Sequence, residues 1–171
     1  SQALDMIRAS PSSVNDVFTA NTLHDYGSIL MKSGNPGKAR PLIEECLAIR
    51  TEKLGKNDLK TLESLHCIAE LCIKDQQHDQ AIEHLEYILT IRRAELLDNH
   101  EDVASCLQSL GLAHIERNEG DDLEKALQCL NESMKIKSES GGQESLESAS
   151  VMQLIGRAYG KQKEFKKARD M

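Results

Sequence analysis

The stretch from Ile88 to Ala113 occurs in outline more than once. Ile91-Arg92 repeats Ile49-Arg50, Leu96 repeats Leu54, Asn99 repeats Asn57, Leu107 repeats Leu65, and Leu110-Gly111 repeats Ile68-Ala69, all at a spacing of 42 residues. One period earlier stand Ile7-Arg8, Leu23 and Tyr26-Gly27, and 45 residues downstream stand Ile136-Lys137 and Ile155-Gly156. A fixed period of this length is the signature of a repeat array. Each unit is then one supersecondary element that buries its apolar face only against its neighbours.

The units are helical. No window alternates apolar and polar residues in the manner of a strand, so no strands are predicted. Pro11, Pro36 and Pro41 are the only prolines, so from Leu42 onward every backbone N–H is available to a helix. Residues 1–9 fit the second helix of a unit, and Ser10-Pro11-Ser12-Ser13 breaks the chain and offers hydroxyl caps. Gly34-Asn35-Pro36-Gly37, Asp75-Gln76-Gln77, Asn118–Asp122 and Gly141-Gly142 punctuate the remainder of the chain. Helices are expected over about 14–33, 38–54, 59–74, 78–97, 101–117, 123–138 and 144–161, with another starting at Glu164. Pro41 is expected in the first turn of its helix, and Asp121 with Glu124 resembles a reciprocal N-cap. The units become 1–10 (a second helix), 14–55, 57–97, 100–139 with a three-residue insertion, and 143–171, truncated. A chain opening inside one second helix and closing inside another is expected to be a fragment of a longer array.

Composition narrows the function classes. The formal charge is −7, and residues 151–171 carry six Lys/Arg against Glu164 and Asp170, leaving −11 on the first 150. With five aromatics and no basic stripe, a nucleic-acid partner is not expected. No apolar run is long enough to span a bilayer, and the N-terminus has no signal-peptide core. Cys46, Cys67, Cys72, Cys106 and Cys129 form no CxxC pair, which fits reduced, mostly buried thiols in a cytosolic or nuclear compartment, and a cytoplasmic protein is expected. There is no phosphate loop, nucleophile elbow or dinucleotide fingerprint, so neither an enzyme nor a cofactor is expected.

Each unit carries a small residue on its first helix (Gly27, Ala69, Gly111, Gly156) and an alanine on its second (Ala39, Ala81, Ala126, Ala168). Matched small residues let antiparallel backbones approach closely, with Leu30, Ile43, Leu85, Leu130, Tyr159 and Phe165 filling the space beside them. The first helices read Leu23-x2-Tyr26-Gly27-x2-Leu30, Leu65-x2-Ile68-Ala69-x2-Cys72, Leu107-x2-Leu110-Gly111-x2-His114 and Met152-x2-Ile155-Gly156-x2-Tyr159. This unit resembles the tetratricopeptide repeat. Its 42-residue length, Leu47-Ala48-Ile49-Arg50, Leu89-Thr90-Ile91-Arg92 and Asn99-His100-Glu101-Asp102-Val103-Ala104 resemble the repeats of kinesin light chain and nephrocystin-like proteins. The resemblance implies an all-α, right-handed α-solenoid of antiparallel helix pairs.

In such a solenoid the first helices line the concave face. That places His24, Asp25, Ser28, Met31 and Lys32 there, then Glu63, His66, Cys67, Glu70, Ile73 and Lys74. Ser105, Gln108, Ser109, Leu112, Ile115 and Glu116 come next, then Gln153, Leu154, Arg157 and Lys161. His24, His66, Gln108 and Gln153 form a polar row suited to hydrogen-bonding a peptide. Met31, Ile73 and Ile115 form an apolar row with two readings, as anchors for a ligand or as core against the neighbouring first helices. His24, His66, Cys67 and Glu70 share a face, but zinc demands three or four ligands in fixed geometry, and no metal is expected. His114 is read as a packing residue. The recurring Arg8, Arg50, Arg92 and Lys137 are read as junction contacts, and the basic run from Lys161 to Arg169 as a solvated face.

The expected function is therefore non-enzymatic: a scaffold or adaptor segment holding a protein or peptide ligand in its groove. Self-association into a homo-oligomer, or service as a regulatory arm of a larger multidomain protein, are the alternatives.

Overall fold

The computed structural model describes residues 16–139 and 146–169. The expected helix at 1–9, the breaks at Ser10–Ser13 and Gly141-Gly142, and the side chains of Phe165, Lys166, Lys167, Ala168 and Arg169 lie outside the described residues. Seven helices and no strands are found among those described. They are α1 (Val17–Lys32), α2 (Pro36–Leu54), α3 (Leu59–Lys74), α4 (His78–Glu95), α5 (Glu101–Arg117), α6 (Asp122–Glu139) and α7 (Leu146–Arg169). The fold is all-α, of the solenoid class, built from helix hairpins. It divides into two compact units, one up to Leu71 and one from Cys72 onward.

The turns explain the hairpins. After α1, Gly34 takes φ +75 and Asn35 N–H reaches back to the Leu30 carbonyl at 2.8 Å. One period later Gln76 has φ +62 and Gln77 N–H donates to the Cys72 carbonyl, also at 2.8 Å. One period later again Asn118 has φ +56. The left-handed residue therefore recurs every 42 positions, although only the first is a glycine. Helix α2 begins at Pro36, which occupies the first turn. Pro41 is consequently inside the helix rather than in its first turn, and its ring sits on the exposed side.

In the first unit α1 packs on α2 around Ala20, Leu23, Cys46 and Ile49, flanked by Tyr26 and Leu42. A Cβ at Gly27 would lie 2.5 Å from Ile43 Cδ1 and 2.8 Å from its Cγ1, so the buried Ile43 side chain would have to shift. In the second unit α4, α5, α6 and α7 pack in sequence, and Ile115, Ala126, Leu130, Val151 and Ala158 form a core. Gly111 repeats the close approach, with a Cβ falling 2.7 Å from Leu130 Cγ. Gly156 does not: nothing lies within 4 Å of its would-be Cβ, and Tyr159 is 54% exposed rather than filling space.

Two expectations about the turns need correcting. Helix α7 continues to Arg169 without the turn expected before Glu164. The connecting residues, Lys161-Gln162-Lys163, are good helix formers and include no glycine, asparagine or proline. At the inserted turn the organising carboxylate is Asp122, not Asp121. It is fully buried, takes two bonds from Arg117 (2.8 and 2.6 Å), one from Glu119 N–H (3.0 Å), and pairs with His114 Nδ1 at 2.8 Å. The Arg117 guanidinium, chiefly, holds the Asp122 carboxyl far below the usual carboxylate range. His114 is thus a buried polar partner as well as a packing residue.

The recurring arginines serve the junctions, as read from the sequence. Arg50 is buried and donates to the Lys60 carbonyl, to Ser64 Oγ (2.9 Å) and to Asn21 Oδ1 (3.0 Å). Arg92, also buried, donates to the Asp102 carbonyl at 2.9 Å. Both reach a backbone carbonyl ten residues ahead, in the first turn of the following helix, so the 42-residue period extends to individual hydrogen bonds.

Candidate functional site

An open cleft of about 560 Å³ lies in the second unit. Its walls are the end of α3 (Ile73, Lys74), the turn residue Gln76, the start of α4 (His78), the last turns of α5 (Leu112, Glu116) and the middle of α7 (Arg157). Ile73 and Leu112 supply apolar surface. Lys74 and Arg157 bring positive charge, and Glu116 binds Arg157 through a 2.6 Å ion pair. Lys161, one turn beyond Arg157, donates to the Ile115 carbonyl at 2.7 Å and ties α7 to α5. His78 contributes a buried Nδ1 without a hydrogen-bond partner. A cleft lined by apolar side chains and by charges of both signs suits a polar ligand carrying an apolar group.

Of the residues expected to bind, Ile73, Leu112 and Arg157 line this cleft, together with Lys74 and Glu116 from the same faces. Ile73 reaches it although it is only 8% exposed. Ile115 does not belong to a binding surface. It is fully buried against Ala126, Leu130, Val151 and Ala158, because its position on α5 turns toward both α6 and α7. Met31 is likewise buried, so the core reading holds for it. Gln108 is half-buried and engaged, accepting from Lys137 Nζ at 2.8 Å and donating to Ser150 at 3.0 Å. Ser109 is half-buried and Gln153 exposed, and neither lines the cleft.

The remaining expected residues belong to the first unit. Asp25 and Glu63 are exposed, and Glu63 meets Arg50 at 3.4 Å. His66 and Glu70 approach to 4.0 Å. His24 has a buried Nδ1 without a partner, and burial, with Arg50 assisting, lowers its pKa. Cys67 is half-buried and its thiol is pushed up to about 11 by burial, against the influence of the Ser28 hydroxyl. Among the described residues no group of three or more His, Cys, Asp or Glu is placed to hold a metal ion. No helix among them is long and apolar enough to cross a membrane.

Gln76 and His78 are not among the contacts expected from the sequence. They sit in a turn and at the start of a second helix, whereas the repeat pattern points to first helices alone. The signal is present in the register, since Gln76 stands 42 residues after Gly34.

The tetratricopeptide repeat family model matches residues 18–86, 61–121 and 111–171. No curated protein sequence matches the chain significantly. Two crystal structures share its fold, both of nearly identical tetratricopeptide-like repeats from a Podosopora anserina protein assigned as a kinesin light chain. One, a point variant, is 21% identical with a TM-score of 0.70 over 81% of this chain, which spans 64% of that structure's length. The other is 19% identical with a TM-score of 0.71 over 99% of this chain and 78% of its own. Repeats of this kind generally mediate protein–protein interactions and are generally non-enzymatic. With three overlapping matches running from residue 18 to residue 171, and the period present in turns, close contacts and buried arginines alike, the chain belongs to the tetratricopeptide repeat family.

Proposed function

We propose that this chain is a scaffold or adaptor segment that binds a peptide of a partner protein in the cleft of its second unit. The observation that carries this reading is the convergence of Ile73, Leu112, Lys74, His78 and Arg157 on one open cleft. An extended peptide or a single helical turn places an apolar side chain between Ile73 and Leu112 while its backbone or polar side chains meet Lys74, His78 and the Glu116–Arg157 pair. The protein is read as cytoplasmic, with repeat units at 14–55, 57–97, 100–139 and 143–171.

A random peptide library displayed on phage and selected on the intact chain tests the proposal. Selected peptides should bind with micromolar affinity and lose at least tenfold on Leu112→Asp, while Asp25→Lys in the first unit leaves them unaffected. Both variants should keep the wild-type helical circular dichroism. Equal binding to wild type and Leu112→Asp sinks the proposal.

A further inference from the structure

The hairpin of α5 and α6 departs from the repeat at its turn. From the small residue of the first helix to the alanine of the second, the chain advances 12 residues at Gly27–Ala39 and at Ala69–Ala81, but 15 at Gly111–Ala126. At the two shorter turns a backbone bond closes the hairpin, from Asn35 N–H to the Leu30 carbonyl and from Gln77 N–H to the Cys72 carbonyl. Asp122 holds the matching place, four residues before its alanine, but the insertion directs its N–H to the Glu119 carbonyl at 2.9 Å. Its buried carboxylate closes the turn instead, on His114 and Arg117. The places of these two residues hold Leu30 and Ser33 in one shorter unit, and Cys72 and Asp75 in the other.

One arm of this network leaves the hairpin. Arg117 commits Nε and Nη2 to Asp122 and extends Nη1 to Asp79 Oδ1 at 2.7 Å. Asp79 lies in the first turn of α4, directly after the cleft residue His78, and Arg117 directly follows the cleft residue Glu116. The ion pair therefore ties the segment bearing Gln76 and His78 to the segment bearing Leu112 and Glu116. The unit at 14–55 has Ser33 and Gly37 at the matching places and cannot form it. An exposed ion pair ordinarily loses most of its Coulomb gain to the ordering of two flexible side chains. Here the bidentate grip of Asp122 already fixes the guanidinium, so only the short Asp79 side chain is left to order. A turn that served its own hairpin alone would account for the bonds to Asp122 but not for the arm to Asp79.

We infer that the inserted turn is a strut for the ligand cleft: Asp122 orients Arg117, and Arg117, through Asp79, positions the Gln76–His78 wall against Leu112 and Glu116. The inference rests on the reading of that cleft as the peptide site. Arg117 and Asp79 do not line the cleft, so both are positioning residues. The departure from the repeat is one that packing does not require, since the other two hairpins close without it, and such departures mark functional places in a chain that otherwise obeys its pattern.

The probes are the phage-selected peptides, fluorescein-labelled and titrated against variants of the intact chain by anisotropy. Asp79 is 87% exposed, so Asp79→Asn leaves no cavity and should keep the wild-type circular dichroism. It should weaken the peptides about three- to fivefold, and Asp79→Glu should restore them. Arg117→Lys should weaken them at least as much, because the buried Asp122 retains the single ammonium and Asp79 is released. The double variant should bind no more weakly than Arg117→Lys alone, whereas a loss of the helix-dipole contribution of Asp79 would add to it. In Asp79→Asn, exchange of the Gln77 and Ala81 amides, which bond Cys72 and Gln77, should quicken by a similar factor while that of Leu89 is unchanged. Peptides that respond to Leu112→Asp but not to Asp79→Asn overturn the strut and leave the cleft reading standing. Peptides indifferent to Leu112→Asp overturn both. Unchanged exchange at Gln77 and Ala81, or additive losses in the double variant, also overturns the strut.

Discussion

Alanine at Gly111 and alanine at Gly156 should have opposite effects on stability. Both glycines sit in helix interiors, where alanine is favoured by about 1 kcal/mol. At Gly156 nothing opposes that gain. At Gly111 the new Cβ would fall 2.7 Å from Leu130 Cγ, 2.9 Å from Leu130 Cδ2 and 3.3 Å from the Ala126 carbonyl oxygen. The nearest atom is the branch point of the leucine, not its flexible end. Leu130 is fully buried among Ile115, Ala126, Val151 and Ala158, so it has no free space to rotate into. Overpacking of this sort costs about 1–3 kcal/mol. Net of the propensity gain, Gly111→Ala should destabilise by up to about 2 kcal/mol, and Gly156→Ala should stabilise by about 0.5–1 kcal/mol. Urea denaturation followed by circular dichroism measures both. Leu130→Ala should restore the propensity gain, so that Gly111→Ala becomes neutral or stabilising in that background, a coupling of at least about 1 kcal/mol. If Gly111→Ala stabilises as much as Gly156→Ala, the close approach of α5 and α6 does not select glycine, and the reasoning fails.

Three further outcomes are expected. Arg50→Met should cost about 2–3 kcal/mol in the same urea assay, because a buried guanidinium that joins Asn21, Ser64 and the Lys60 carbonyl is lost together with its charge-assisted bonds. The Asp122 carboxyl is held below its unfolded value of about 3.9, so its stabilisation is fully present above that pH and is lost progressively as pH falls toward the folded value. Stability measured from pH 5 down to pH 2 should therefore fall less steeply in Asp122→Asn, which is already destabilised at pH 7, than in wild type. Burial pushes the Cys67 and Cys129 thiols up to about 11 and Cys106 up to about 12. At pH 8 iodoacetamide should accordingly modify these three in the folded chain at least about 100-fold more slowly than in urea, as followed by peptide mass mapping.

The backbone of this protein was legible in its sequence because the repeat enforces the same geometry at each period. Gly27 and Gly111 mark close approaches, and Arg50 and Arg92 bond the same relative carbonyl. Position 76 is left-handed like position 34, although glutamine there would not announce a turn of that kind by itself. The cleft was only half legible for a related reason. A helical period fixes which side of a first helix faces inward, but not how deep each residue on that side lies. Met31, Ile73 and Ile115 share one register, yet Ile73 keeps an edge in the cleft while α6 and α7 enclose Ile115. Nor does the period of the first helices report what a turn contributes, so it carries no sign of Gln76 and His78. The failure of the expected turn before Glu164 is the reverse case. There the repeat pattern supplied an expectation that the local residues support weakly, since Lys161-Gln162-Lys163 holds no glycine, asparagine or proline and is made of good helix formers. Periodicity predicts packing where two helices actually meet. At Gly156, Met152 and Tyr159 the same letters meet no second helix among the described residues, so there the pattern reports the register of a first helix and not a contact.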